Sequence, residues 1–174
     1  MSELDEAWAS ALAEAESRAR VSGRRDVAAY LALRNSNDLL RRTGIEWLIS
    51  TFETLAAQAN RRGASIQISR EENHRFQAGN STMVGRLLIL RFGVRQLFVE
   101  AGWPRTPRDG VLRGGGLASA NIRHLGIKSA SEVIRLVQSP QGAPMWVVGE
   151  RTEGTAEIHE RNLRKHIATL LTPG

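Results

Sequence analysis

The residue types best suited to binding an anion are concentrated in one stretch, residues 99–118, which reads VEAGWPRTPRDGVLRGGGLA. Between two apolar segments it holds one tryptophan, three arginines, two prolines and a run of three glycines. A guanidinium makes bidentate hydrogen bonds to phosphate or carboxylate, and a tryptophan ring can stack on a nucleic-acid base. We therefore predict a binding loop over residues 103–116, with the candidate residues Trp103, Arg105, Arg108, Arg113, Gly114, Gly115 and Gly116.

Two prolines stiffen the first half of this loop. Pro104 restricts Trp103 to extended conformations, and the stretch 106–110 (TPRDG) has the composition of a tight turn. A stiff loop loses little conformational entropy when it binds a partner, which favours a site at this position. The alternative is that Trp103 is a core residue and that the arginines are solvated.

The glycine run 114–116 has two interpretations. Glycines leave backbone N–H groups open to an approaching anion. The run lacks the lysine and the hydroxyl residue of a Walker loop, however, and it precedes an expected strand instead of the helix of a dinucleotide-binding motif. A bulge or a flexible connection into the strand is therefore the more ordinary interpretation.

The charge of the chain also favours an anionic partner. The formal net charge is +6, and the first 17 residues contain five acidic and no basic side chains, so the remainder carries +11. Arginine supplies 22 of the 24 basic residues, a bias that fits a GC-rich bacterial genome but does not account for the net charge. A cationic platform for a polyanion results if the arginines in or beside the expected strands share one face. These are Arg70, Arg75, Arg86, Arg91, Arg95, Arg123 and Arg135.

No arrangement of side chains is typical of a metal centre or a catalytic pair. There is no cysteine, and the four histidines lack the H-E-x-x-H spacing of a zinc site. The acidic residues Glu71, Glu72, Glu100 and Asp109 have no spacing that requires an acid/base pair. We therefore predict a non-enzymatic protein with no catalytic residues, no metal and no cofactor.

Helical periodicity dominates residues 1–62. In the first helix Leu4, Trp8 and Leu12 recur at helical spacing until Ser22-Gly23 breaks the pattern. A second apolar pattern runs over residues 26–61, but the polar residues 34–38 interrupt it. The sequence leaves open whether this segment is one long helix or two helices joined near residues 36–44.

After Gly63 the apolar residues alternate with a period of two, as in strands. About seven strands with mostly short connections imply an antiparallel meander, and a helix follows near residues 155–171. The predicted fold class is α+β: an N-terminal helical hairpin, an antiparallel sheet of about seven strands that can curl towards a barrel, and a C-terminal helix. We expect residues 1–62 and the β-rich residues 63–174 to form one structural unit.

The expected hairpin over residues 82–101 is apolar on both faces. Leu88 and Leu90 alternate with Leu87 and Ile89, whereas a sheet with one solvated face shows polar residues at every second position. We therefore expect both faces to be covered and fewer than about a fifth of the apolar side chains to be exposed. The helices can cover one face, and the other requires the C-terminal helix, a second layer or a partner chain.

The sequence shows no secretory signal, no transit peptide and no apolar run of the length that spans a bilayer. We expect a cytoplasmic protein with no membrane partner. The favoured function is a non-enzymatic binding module whose basic, arginine-rich surface binds nucleic acid or another polyanion. One alternative is a protein–protein adaptor or homo-oligomeric scaffold, and another is a small-ligand or enzyme site bordered by loop 103–116.

Overall fold

The computed structural model describes residues 3–112, 116–148 and 156–173. In that part of the chain the helices are α1 (Glu3–Val21), α2 (Arg25–Arg61) and α3 (Glu160–Leu171). The strands are β1 (Gln67–Ala78), β2 (Ser81–Phe92), β3 (Arg95–Trp103), β4 (Ala118–His124), β5 (Glu132–Gln138), β6 (Pro144–Val148) and β7 (Ala156–Glu157). Short 3-10 turns lie before and after β4, at Pro107–Asp109 and Lys128–Ala130.

The strands form one antiparallel sheet in which each strand pairs with its neighbours in sequence, from β1 to β7. Short connections favour this order, since parallel neighbours need a long crossover. The predicted α+β fold is confirmed: a helical hairpin, an antiparallel sheet of seven strands and a C-terminal helix. The sheet curls but does not close into a barrel, because β1 and β7 remain its two edges.

The segment 26–61 lies within a single helix, α2, which has 37 residues. The polar run 34–38 does not break it, because its one buried member is satisfied. Asp38 accepts a hydrogen bond from the Trp8 indole at 3.0 Å and one from the Arg41 guanidinium at 2.7 Å. These two hydrogen bonds therefore offset the cost of burying the Asp38 carboxylate within α2.

Near its middle, α2 approaches the sheet closely at Gly44. A Cβ atom at this position would lie 2.6 Å from the Leu136 side chain on β5. The Gly44 carbonyl also accepts a hydrogen bond of 2.8 Å from the Trp146 indole on β6. The glycine thus lets the helix axis lie against strands β5 and β6.

The main core lies between the helices and one face of the sheet. Phe52 and Leu48 of α2 are fully buried with Leu88 and Leu97 of the central strands. The apolar stripe of α3 completes this layer through Leu163, Ile167 and Leu170. A helix with an apolar stripe and a sheet with an apolar face bury one another in this way.

The β1–β2 hairpin curls over the opposite face of the sheet, which we call the outer face. Strand β1 has a bulge between Glu71 and His74, and bulges increase local twist. In β2, Gly85 pairs with Gly102 of β3, and a Cβ on Gly85 would lie 1.9 Å from a β3 carbonyl oxygen. The curled end of β1 reaches β4, where the Asn121 amide donates to the Gln77 carbonyl at 3.4 Å.

This curl explains how both faces of the 82–101 hairpin are covered within one chain. Leu88 and Leu90 are buried under the helices, while Met83 and Leu87 are buried on the outer face. Among the large apolar side chains of this segment only Val94, in the turn, is exposed. The expectation of fewer than about a fifth exposed is confirmed, and no partner chain is needed to account for it.

Among the described residues, no helix is both long and apolar enough to cross a membrane.

The close contact between β2 and β3 at Gly85 should make the stability of the fold sensitive to a side chain at this position. We expect Gly85→Ala to lower the free energy of unfolding by about 3 kcal/mol, because its Cβ must push two backbones apart. Gly116→Ala is the matched control, since the nearest atom to a Cβ there is 3.8 Å away. Urea unfolding of both variants tests the prediction, which is wrong if they are equally stable.

Candidate functional site

Loop 103–110 borders a groove of about 550 Å³ whose other walls are α1 and α2. Trp103, Pro104, Arg105 and Pro107 of the loop line it. We call this cavity the groove. It brings the first half of the predicted binding loop together with helical residues that sequence analysis did not connect to it.

Trp103 is a core residue. Only 6% of its surface is exposed, and its ring belongs to the main hydrophobic cluster. The Arg105 guanidinium lies 3.5 Å from the ring centroid and that of Arg41 lies 5.9 Å from it. These cation–π contacts cover the ring, so it is not free to stack on a base.

Arg105 joins the loop to the start of α1. Its Nη1 atom donates to the Asp5 carboxylate at 2.7 Å, and its Nε atom lies 3.4 Å from the Val84 carbonyl oxygen. This guanidinium therefore already has a carboxylate partner, which reduces its capacity to bind an external anion.

The adjacent turn is held together by Asp109. The backbone N–H groups of Thr106 and Arg105 donate to its carboxylate at 3.0 and 3.1 Å, and Arg75 donates to it at 2.9 Å. The hydrogen bonds from Thr106 and Arg105 and the charge of Arg75 outweigh burial and hold the pKa of Asp109 below its ordinary value. The rigidity predicted from the prolines thus rests equally on this carboxylate.

Of the other candidate loop residues, the two that the structure describes, Arg108 and Gly116, do not line the groove. Arg108 is exposed on the turn. Gly116 lies next to β5, with its ideal Cβ position 3.8 Å from the Leu136 carbonyl oxygen. Arg113, Gly114 and Gly115 lie outside the described residues.

The strand arginines do not share one face, and most of those on the sheet have carboxylate partners. Arg70 and Arg86 point towards α2, whereas Arg123 lies on the outer face. A paired guanidinium contributes little to the long-range field. The pairs are Arg70–Glu53, Arg75–Asp109, Arg86–Glu46, Arg86–Glu72 and Arg123–Glu100.

Glu100, one of the acidic candidates, is buried on the outer face. His74 Nε2 lies 2.9 Å from its carboxylate and Arg123 Nη2 lies 3.2 Å from it. Burial raises the pKa of Glu100, but the hydrogen bond from His74 and the charge of Arg123 outweigh it, so the pKa is lowered. The carboxylate is held ionised by its neighbours, as in a structural ion pair.

Two buried histidines are in contact between the sheet and α3. Sequence spacing could not reveal this contact, because the two residues are 42 positions apart. His124 Nε2 of β4 lies 2.9 Å from His166 Nδ1 of α3, and Glu132 lies 3.4 Å from the other ring nitrogen of His166. Burial and the neighbouring imidazole lower the pKa of His124 to about 4. In the described residues no group of three or more His, Asp or Glu side chains could hold a metal ion.

The end of the molecule at which α2 and α3 terminate has a distinct charge. The sheet register places the start of β1 opposite the end of β2, and the start of β3 opposite the end of β4. Arg95 of β3 reaches the last turn of α3, where its Nη1 atom lies 3.4 Å from the Leu170 carbonyl oxygen. The residues that converge there lie in the ranges 54–70, 91–99, 123–132 and 164–173, and we call them the basic end.

These ranges contain nine arginine and lysine residues and one carboxylate, Glu132, which lies 3.4 Å from His166. Three of the nine, Arg70, Arg123 and Arg164, pair with carboxylates that lie outside the ranges. The remaining six have no carboxylate partner among the described residues. They are Arg61, Arg62, Arg91, Arg95, Lys128 and Lys165.

Compared with protein-family models, with curated proteins and with solved structures, the chain shows no match in any of the three. The protein is therefore classified here by its own fold and charge distribution. It is an α+β protein with an open, curled sheet, a groove beside its helical hairpin and one strongly basic end.

The buried His124 makes stability depend on pH. Because its pKa is about 4 when folded and 6.5 ordinarily, the unfolded chain binds a proton first as the pH falls, so stability decreases below pH 6.5. We expect a loss of about 2 kcal/mol between pH 6.5 and pH 5, at about 1.4 kcal/mol per unit. Urea unfolding at both pH values measures it.

The variant His124→Gln, which cannot titrate, should lose most of this dependence, while substitution of the exposed His159 by Gln should keep it. A wild-type stability that is flat between these two pH values would contradict the assignment. The chosen window lies above the range in which most carboxylates titrate.

Proposed function

We propose that this protein is a non-enzymatic binding module that binds nucleic acid, as a polyanion, through its basic end. The observation that carries the proposal is the excess of six unpaired cations over a single carboxylate, Glu132, in this region of the described chain. The positive potential of such a region attracts a phosphate backbone. Binding then releases counterions from the nucleic acid, which favours the complex.

The exposed cations at this end can contact phosphates without losing a partner. Arg61, Arg62, Arg91, Lys128 and Lys165 are all exposed. The paired arginines of the sheet, Arg70, Arg75, Arg86 and Arg123, would have to break an ion pair first. This difference moves the proposed contact surface from loop 103–116, where we expected it, to the basic end.

Helix dipoles account for only part of this charge. The C-termini of α2 and α3 both lie at the basic end, and each is equivalent to about half a negative charge. Together they offset about one of the six cations. Arg91 and Lys128, moreover, lie in the sheet and in its β4–β5 connection, outside the last helical turns.

The composition of the basic end predicts binding with little sequence preference. In the described part of the chain, Phe92 and Phe98 are the aromatic residues of these ranges, and both are partly buried. Specific readout of single strands usually requires exposed aromatic rings, and readout of duplexes requires side chains in a groove. Contacts to phosphates alone fix affinity without selecting a sequence.

The main observation in favour of a protein–protein adaptor or homo-oligomer was the hairpin over residues 82–101 with two apolar faces. The two-sided apolar hairpin is buried within one chain, so it no longer calls for a second subunit.

Removal of arginines from the basic end should reduce the salt dependence of binding. We expect Arg61→Ala/Arg62→Ala to weaken binding to labelled single- and double-stranded oligonucleotides in low salt. The log–log salt slope should become shallower by about 1.5 units, at 0.7 to 0.9 per phosphate contact. Fluorescence anisotropy between 50 and 200 mM salt measures both quantities.

The same helix offers the matched control. Arg24→Ala/Arg25→Ala removes two adjacent exposed arginines at the opposite end of α2, about 55 Å away at 1.5 Å per residue. We expect this variant to keep the wild-type slope. Equal effects of the two variants, or no binding by the wild type at 50 mM salt, would show that the basic end is not the contact surface.

Anionic lipid vesicles are the competing polyanion in this experiment. Val94, Leu125 and Ile127 are exposed apolar side chains at the basic end, and such residues inside a basic ring also suit a lipid surface. Tighter binding to vesicles than to oligonucleotides would replace nucleic acid by a membrane surface as the partner.

A further inference from the structure

The groove exposes an unusual number of apolar side chains on one concave surface. Leu4 and Trp8 of α1 are 61% and 41% exposed, and Tyr30 and Leu33 of α2 are both 61% exposed. Their spacing of three or four residues places each pair on one helix face, so the four side chains face a shared space. Contiguous exposed apolar surface of this kind marks ligand sites.

The walls of the groove are tied together by buried charges. Asp38, only 4% exposed, accepts hydrogen bonds from Trp8 of α1 and Arg41 of α2. Arg41 Nε donates to the Leu117 carbonyl at 2.8 Å, which connects α2 to the segment before β4. With Arg105 bound to the start of α1, all three walls are held before any ligand arrives, and preorganisation of this kind favours binding.

One cation in the groove has no carboxylate partner in the described chain. The Arg34 guanidinium lies 5.0 Å from the centroid of the Trp8 ring and forms no ion pair there. Asn37, three residues further along α2, also lines the groove, and its amide can donate to the same anion. Since Asp38 pairs with Arg41, and Asp5 with Arg105, the groove carries a net charge of about +1.

We propose that the groove is a binding site for a small aromatic carboxylate. The carboxylate is held by Arg34 and Asn37, and the aromatic body lies against Trp8 and Tyr30. The groove volume of about 550 Å³ lies within the range of about 300 to 1,000 Å³ typical of small-molecule sites. A single unpaired guanidinium matches a monoanion, because a polyphosphate would leave negative charge uncompensated beside Asp38.

This site is separate from the basic end. Arg34 lies 27 residues before Arg61 on α2, about 40 Å along the helix at 1.5 Å per residue. The ligand classes differ too: the basic end suits a chain of phosphates in contact with solvent, whereas the groove suits one carboxylate with an apolar body. Either proposal can therefore fail without the other.

Naphthalene-2-carboxylate is a suitable probe, with its uncharged carboxamide as the comparison ligand. Calorimetric titration of the full chain should show saturable binding of one carboxylate per protein, and the carboxamide should bind at least about tenfold more weakly. Arg34→Gln should weaken carboxylate binding by about ten- to a hundredfold and leave carboxamide binding nearly unchanged, as expected for a charge-assisted hydrogen bond. Tyr30→Ala should weaken both ligands.

Two matched controls exclude indirect effects. Arg24→Gln removes an exposed arginine of the same helical hairpin outside the groove, and Leu39→Ala removes an exposed apolar side chain of α2 outside it. Both should bind the probe like the wild type. Thermal unfolding of Arg34→Gln verifies that it folds, which we expect because this side chain forms no ion pair among the described residues and contacts the Trp8 ring.

Three results would overturn the proposal: no saturable binding at millimolar probe, equal binding of carboxylate and carboxamide, or undiminished binding by Arg34→Gln. The variant Arg61→Ala/Arg62→Ala should bind the probe normally. Loss of probe binding in that variant would mean that the carboxylate binds at the basic end, and the groove would be excluded as its site.

Discussion

Burial of the second half of α2 against the sheet is the interaction on which the other features depend. From Leu40 onwards most of its apolar side chains belong to the main core, and Leu48 and Phe52 are wholly inaccessible to solvent. Burial of each such side chain contributes about 1.5 to 3 kcal/mol. Because this half is held firmly, the first half can support α1 and form the groove, while the last turn carries Arg61 and Arg62 to the basic end.

The distribution of charge follows from where the carboxylates lie. Most arginines on the sheet faces have a carboxylate partner, as Arg86 has in Glu46 and Glu72. The positions of the carboxylates decide this more than depth does, because the paired Arg75 side chain is 61% exposed while the half-buried Arg95 has no carboxylate partner among the described residues. Exposed ion pairs add little to stability, so their main effect is to cancel charge locally. The uncompensated positive charge that remains is concentrated where α2 and α3 end, in ranges whose one described carboxylate is Glu132.

Periodicity predicted the architecture well because the apolar pattern and the backbone geometry have the same repeat. The change of period at Gly63 marks the start of the sheet, and the two-sided apolar pattern of residues 82–101 correctly predicted a hairpin covered on both faces. The same pattern could not show what provides the cover. A bulge at Glu71 and the glycine pair of β2 and β3 let one chain cover its own outer face, and that is a matter of backbone approach.

The candidate sites show more clearly what cannot be predicted from the sequence. The sequence by itself determined the α+β class, the antiparallel order of the strands, the positive charge and the stiffness of loop 103–110, since these follow from composition and from local spacing. Only the tertiary structure decided which charges are neutralised and which side chains meet. It buried Trp103 beneath Arg105, joined Arg105 to Asp5 at a separation of 100 residues, and brought His124 to His166. Such contacts depend on the packing of whole elements, and no local pattern in the chain encodes them.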